Sequence, residues 1–324
     1  PSYGTDPWSQ QAKVAFQKEF GPHTEVFFVF NGTAANALSL RALLSPHHAA
    51  LCADVSHLWN DECGAPEYLA GCKLIPLASE NGKISLSTLK ENWTRRGDQH
   101  SSQARVLSLT QPTELGTCYS LQELTDLISW AHAHNLLVHI DGSRLANACV
   151  FLNCEFDELT TKLGVDMVSF GGTKNGFLFG EAILFLKPGL SEDFQYIRKQ
   201  CGQLPSKSRY IAAQFAAYLA NQTWKEIARH SCEMAARLEQ GLKQYPLCQI
   251  SQPRQSNAVF VKIPKAWVKP LKEASFFYVW NEKTFECRWM TSWDTEAQDI
   301  DSFLQVIQEL TSSAAISSDK GVSQ

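Results

Sequence analysis

Over its first two thirds the sequence alternates short apolar, β-rich runs with longer amphipathic stretches, and this alternation constrains the fold more than any other feature. Half-buried strands repeat their apolar residues about every 2 positions and helices about every 3.6, so the switching predicts βα units around a largely parallel sheet. Strands are expected at 25–30, 50–55, 73–77, 105–110, 136–140, 167–170 and 182–186, and helices at 8–20, 34–44, 59–70, 86–94, 121–134 and 157–163. The sharpest helix start is Ser120-Leu121-Gln122-Glu123, where a hydroxyl and a carboxylate satisfy first-turn N–H groups. A long helical region over about 208–245 follows, and after Pro253 the pattern changes to strands at 258–263, 276–280 and 284–290 and a helix at 296–310. The expected architecture is α/β: a seven-stranded, mostly parallel sheet flanked by helices in a large domain (1–250). A small C-terminal α+β domain (251–311) closes on it across a hinge near residue 250. The last stretch, 312–324, is rich in Ser, lacks aromatics and reads as a flexible tail.

Charge and cysteine usage remove several function classes. With 29 Lys plus Arg against 33 Asp plus Glu, the net charge is −4, so the basic excess of a dedicated nucleic-acid binder is missing. No apolar run reaches the ~18 residues of a membrane span, and the chain is expected to be soluble. Ten cysteines are scattered through apolar runs without a C-x-x-C pair, which excludes zinc-ribbon and thioredoxin readings and suggests a reducing, cytoplasmic compartment without structural disulfides. The eight histidines other than His57, including His47-His48 and His132-Ala133-His134, lack acids or cysteines at metal spacing, so no metal is expected.

Three stretches at the C-terminal ends of expected strands carry the chemistry, because open α/β sheets bind ligands there. Phe30-Asn31-Gly32-Thr33-Ala34-Ala35-Asn36 puts free backbone N–H groups and a hydroxyl at a helix start, which suits a phosphate; an ordinary βα turn is the plainer alternative. In Leu136-Leu137-Val138-His139-Ile140-Asp141-Gly142-Ser143-Arg144, a carboxylate emerges from a buried strand and needs a partner, either Arg144 or a ligand nitrogen. In Gly171-Gly172-Thr173-Lys174-Asn175-Gly176, a lysine among small residues can approach a bulky planar group and lose its proton by desolvation.

A phosphate turn, an acid after a strand and a lysine 33 residues later resemble, in that order, the pyridoxal phosphate enzymes of the aspartate aminotransferase fold (fold type I). In detail the chain resembles the threonine aldolases and their β-eliminating lyase relatives. The likeness rests on Tyr3-Gly4-Thr5-Asp6-Pro7, the 31–36 turn, His57 with Glu62-Cys63-Gly64-Ala65, Gln111-Pro112-Thr113-Glu114-Leu115-Gly116-Thr117, Asp141-Gly142-Ser143-Arg144, the Lys174 stretch and Arg288-Trp289-Met290-Thr291-Ser292-Trp293. It runs from about residue 3 to residue 310. The resemblance implies that Lys174 holds pyridoxal 5'-phosphate as a Schiff base and that Asp141 pairs with its pyridine nitrogen. Gly32 and Thr33 would receive the phosphate, with Lys207 reaching it from a neighbouring subunit of a homodimer or homotetramer. Arg144 and Arg288 would bind the substrate carboxylate, and His57 would stack on the ring and help deprotonate the substrate β-hydroxyl.

The implied activity is that of a lyase of amino-acid metabolism. It would cleave the Cα–Cβ bond of a β-hydroxy amino acid, L-threonine or L-allo-threonine, to glycine and an aldehyde through an external aldimine and a quinonoid. β-Elimination, racemisation, or cofactor binding without turnover are the alternatives. A nicotinamide dehydrogenase lacks its G-x-G-x-x-G opening, and a Cys63 nucleophile would duplicate what the cofactor supplies. Family members commonly carry a further segment before the Tyr3-Gly4 stretch, so an N-terminal arm is expected to be missing. Ser143 stands where Ala is common.

Overall fold

The computed structural model describes residues 1–319. Seven strands form one sheet: β1 (Glu25–Val29), β2 (His48–Ala53), β3 (Lys73–Leu77), β4 (Gln103–Thr110), β5 (Leu137–Gly142), β6 (Met167–Phe170) and β7 (Glu181–Phe185). Their order is β1-β7-β6-β5-β4-β2-β3. All neighbours from β3 to β6 run parallel, while β7 is antiparallel to both β6 and β1. The chain moves from β3 back past β2 to β4, so the connections reverse direction at the β2/β4 boundary and leave a crevice beyond the strand ends.

The helices of this part are α1 (Pro7–Phe20), α2 (Gly32–Leu43), α3 (His57–Asn60), α4 (Ala65–Ala70), α5 (Leu86–Glu91), α6 (Leu121–Ala133), α7 (Leu145–Leu152), α8 (Phe156–Leu159), α9 (Phe194–Gln200) and α10 (Arg209–Leu219). Strand parity distributes them over the two faces. Leu51, Leu107, Val138, Ile140, Phe170 and Leu184 pack with Phe16 and Phe20 of α1, with α6 and α7, and with Phe215 of α10. Their neighbours Ala50, Cys52, Val106, Leu137, Met167, Ile183 and Phe185 pack with α2 and Phe194 of α9. Burial on both faces explains why these strands read as continuous apolar runs. The expected capping box closes: Glu123 N–H donates to Ser120 Oγ at 3.2 Å and Ser120 N–H to Glu123 Oε2 at 2.7 Å.

The second unit holds α11 (Thr223–Leu242), β8 (Gln249–Ile250), β9 (Ala258–Lys262), α12 (Val268–Ala274), β10 (Tyr278–Asn281), β11 (Glu286–Met290) and α13 (Ala297–Asp319). Its antiparallel sheet, ordered β10-β11-β9-β8, packs against Leu238 and Leu242 of α11 and Phe303 and Ile307 of α13.

Several boundaries differ from expectation for local reasons. The helix expected at 59–70 is split by Cys63 and Gly64, and the 208–245 region by Asn221 and Gln222, all with positive φ. No element was expected at Leu145–Leu152, where α7 forms. The flexible tail expected at 312–324 is helical as far as Asp319, and its last residues, 320–324, lie outside the described residues. Among the described residues no helix is long and apolar enough to cross a membrane, and no cluster of His, Cys, Asp or Glu could hold a metal. All ten cysteines are free thiols.

Candidate active site

A cavity of about 820 Å³ opens beyond the C-terminal ends of β2, β4, β5 and β6 and is walled on its other side by Tyr278, Trp280 and Arg288 of β10 and β11. His57, Asp141, Arg144, Lys174 and Arg288, separated by up to 231 positions in the sequence, all line it. Gly32 and Thr33 do not, but they open α2, whose next turn reaches Asp141 through Asn36. Lys207 is exposed just before α10 and lies outside the cavity of its own subunit, as does the exposed Cys63.

Asp141 ends the fully buried β5 and is 3% exposed. The expected alternative, an ion pair with Arg144, does not form. Oδ1 instead accepts from Ser143 N at 3.1 Å and Ser143 Oγ at 2.8 Å, and Oδ2 accepts from Asn36 Nδ2 at 2.9 Å. Burial opposes the charge, yet the Lys174 ammonium and these hydrogen bonds hold the carboxyl below its usual pKa.

Asn36 also links this acid to the histidine. Its Nδ2 donates to Glu62 Oε1 at 3.0 Å, and the same oxygen lies 2.7 Å from His57 Nδ1. A carboxylate oxygen only accepts, so Nδ1 carries the hydrogen and Nε2 is left as the basic nitrogen. Despite partial burial, the Glu62 hydrogen bond raises the pKa of His57. Below the site His139 is wholly buried between the hydroxyls of Ser108 and Ser169, each at 2.9 Å, and burial lowers its pKa to about 4. It is a neutral structural group.

Lys174 follows β6 on a short 3₁₀ turn and is exposed to the cavity. Desolvation by the surrounding protein, then the positive charge of Arg144, lower its pKa and enlarge the share of neutral amine. The glycines beside it serve a different purpose from the one expected. A Cβ on Gly171 would lie 2.2 Å from the Ser143 carbonyl oxygen, and one on Gly172 2.3 Å from that of Gly180, so the missing side chains make room for backbone rather than for a ligand.

Neither Arg144 nor Arg288 has a carboxylate partner among the described residues. Burial, then the nearby Arg288 charge, lowers the pKa of Arg144 to about 10. The Arg288 guanidinium lies 4.8 Å from the Trp280 ring centre and 5.7 Å from that of Tyr278, which supports it from the small-lobe side. Two unpaired guanidiniums facing one cavity suit a carboxylate.

These residues fit pyridoxal phosphate. Asn31 Oδ1 caps α2 by accepting from Ala34 N at 2.9 Å, and a Cβ on Gly32 would meet nothing within 4 Å, so the positive helix end is open to an anion. Asp141 supplies a fixed anion for a pyridinium nitrogen, and Lys174 an amine for an aldehyde. Asn36, Glu62 and Glu114 had no expected role. Their stretches were recognisable in the sequence, but nothing local signals that residues 36, 62 and 141 meet.

The sequence matches the family described as Beta-eliminating lyase over residues 1–266. It is 39% identical over 296 residues to a low specificity L-threonine aldolase of a Pseudomonas species, covering 91% of this chain and 86% of that protein. It is likewise 39% identical over 304 residues to a low specificity L-threonine aldolase of Pseudomonas aeruginosa, covering 92% and 87%. Among solved structures, the fold superposes on a threonine aldolase of Leishmania major with a TM-score of 0.90 at 27% identity, covering 96% of this chain and 91% of that one.

Proposed function

This chain belongs to the β-eliminating lyase family, on its threonine aldolase branch, and from that premise we propose that it is a pyridoxal phosphate-dependent lyase that takes L-threonine or L-allo-threonine to glycine and acetaldehyde. The observation that carries the reading is the convergence of Lys174, Asp141, His57 and two unpaired arginines on one cavity. Lys174 is the amine that would hold the cofactor's aldehyde carbon, Asp141 would face the ring nitrogen, and Gly32 and Thr33 the phosphate. Bound there, the cofactor supplies an electron sink for the pair released when a bond to Cα breaks.

The chain's own groups choose that bond. Arg144 and Arg288 would grip the substrate carboxylate from opposite walls and fix its rotation about Cα, so that the Cα–Cβ bond takes the reactive orientation. His57 Nε2, held in its basic tautomer by Glu62, would accept the β-hydroxyl proton directly or through water. In the same reading Lys207 of a second copy reaches the phosphate, so the working form is a homodimer or homotetramer. The test is acetaldehyde release from L-threonine and from L-allo-threonine. Pyruvate from L-serine without acetaldehyde would instead assign β-elimination.

A further inference from the structure

Glu114 lines the same cavity and has no part in the scheme above. It follows β4 on a turn closed by Thr113 N–H to Thr117 O at 2.8 Å and Gly116 N–H to Thr113 O at 2.9 Å. Gln111 fastens this turn through two 2.9 Å hydrogen bonds with the backbone of Tyr119, and Ser256 Oγ donates to Gly116 O from the second unit at 3.1 Å. These bonds hold the turn that carries the acid. Its Oε1 accepts from His57 N–H at 2.8 Å and Thr110 Oγ at 2.9 Å, while Oε2 is buried with no partner. Thr110 stands opposite Asp141 in the β4/β5 register, so two carboxyl groups flank one residue pair.

We infer that Glu114 is a positioning residue of the carboxylate subsite, which takes up a proton from solvent when an amino-acid carboxylate docks on Arg144 and Arg288. The inference rests on the assignment of those arginines in the proposed function. Cys52 of β2, His57 of α3, Asp141 of β5, Arg144 of the turn after it, Arg288 of β11 and Tyr119 beyond its own turn act electrostatically on or with Glu114. Burial, aided by the Asp141 charge and opposed by the His57 N–H, pushes the Glu114 carboxyl up to about 7, whereas Asp141 is held low. Neighbouring acids driven apart in this way divide the labour: one stays charged and the other changes charge near neutrality. An ionised Glu114 repels an incoming carboxylate that docks on the two guanidiniums, whose charges it feels through space. By linkage, a bound carboxylate must then raise the proton affinity of Glu114 by the same factor.

The probe is 3-hydroxybutyrate, which has the carboxylate and β-hydroxyl of the substrate but no amine to react. Infrared difference spectra of the holoenzyme should show a protonated-carboxyl band that disappears as pH rises through about 7 and shifts its midpoint upward with 3-hydroxybutyrate. The band should be absent from Glu114→Gln and displaced in Glu114→Asp. Binding of the probe should weaken up to about tenfold between about pH 6 and about pH 8 in the wild type, and the slope should shrink in Glu114→Gln to the part that His57 contributes. His57→Asn removes the imidazole's share and should keep the Glu114 share of the slope, since only the backbone of residue 57 touches Glu114. A band that does not titrate or respond to the probe, or an unchanged slope in Glu114→Gln, would overturn the inference. Proton uptake without threonine cleavage would instead overturn the proposed activity and leave this inference standing, and cleavage without uptake would do the reverse.

Discussion

Asn36 ties Glu62 to Asp141 by single hydrogen bonds, so the chemistry proposed for His57 depends on two residues, Glu62 and Asn36, that do not line the cavity. Replacing Glu62 by Gln should lower kcat about 10²-fold, the usual contribution of a well-placed acid or base, and return the His57 pKa toward its ordinary value in an NMR titration. The same pair predicts a stability effect with a definite sign. Because Glu62 raises the pKa of His57, its stabilisation is full below about 6.5 and is lost as pH rises through the folded value. The urea midpoint of the wild type should fall over that window, and Glu62→Gln should lose that component. Lys174→Ala should lower turnover by about 10³-fold or more without moving the unfolding midpoint, since the lysine opens onto the cavity. The placement of Asp141, Arg144 and Lys174 was legible in the sequence because each stands at or after the end of a strand whose apolar run points it out. Glu62 and Glu114 were not, because their meaning lies in a backbone N–H and an amide supplied from elsewhere in the chain.

At the scale of elements, the two glycine sites make opposite predictions. Gly172→Ala forces a Cβ against the Gly180 carbonyl and should cost about 2–3 kcal/mol in chemical denaturation. Gly32→Ala meets open space at the start of α2, so the fold should hold within about 0.5 kcal/mol while affinity for pyridoxal phosphate falls. Spectrophotometric titration against inorganic phosphate and the cofactor would separate these effects. All seven strands of the large sheet were legible because burial on both faces leaves long apolar runs between turn signals. The antiparallel course of β7 was not, since direction within a sheet leaves no mark on a strand's own residues. The break at Asn221 was hidden too, because two non-glycine residues, Asn221 and Gln222, take up the positive φ there.

At the scale of the molecule, the second unit contributes Arg288, its aromatic supports and the 256–258 stretch to a cavity whose His57, Asp141, Arg144 and Lys174 belong to the first. Both units therefore build the proposed substrate site. The exposed Lys207 gains a role only across a subunit boundary. Sizing should show a dimer or tetramer, and Lys207→Ala should weaken cofactor affinity without changing the cavity of its own subunit. A monomer that binds the cofactor with full affinity would remove this role.

Carbon–carbon bond cleavage by these residues is measured most directly by quantifying both products after the holoenzyme turns over L-threonine. Glycine and acetaldehyde should appear in equal amounts and disappear together in Lys174→Ala. Threonine consumed without acetaldehyde, or equal turnover by Lys174→Ala, would contradict the account.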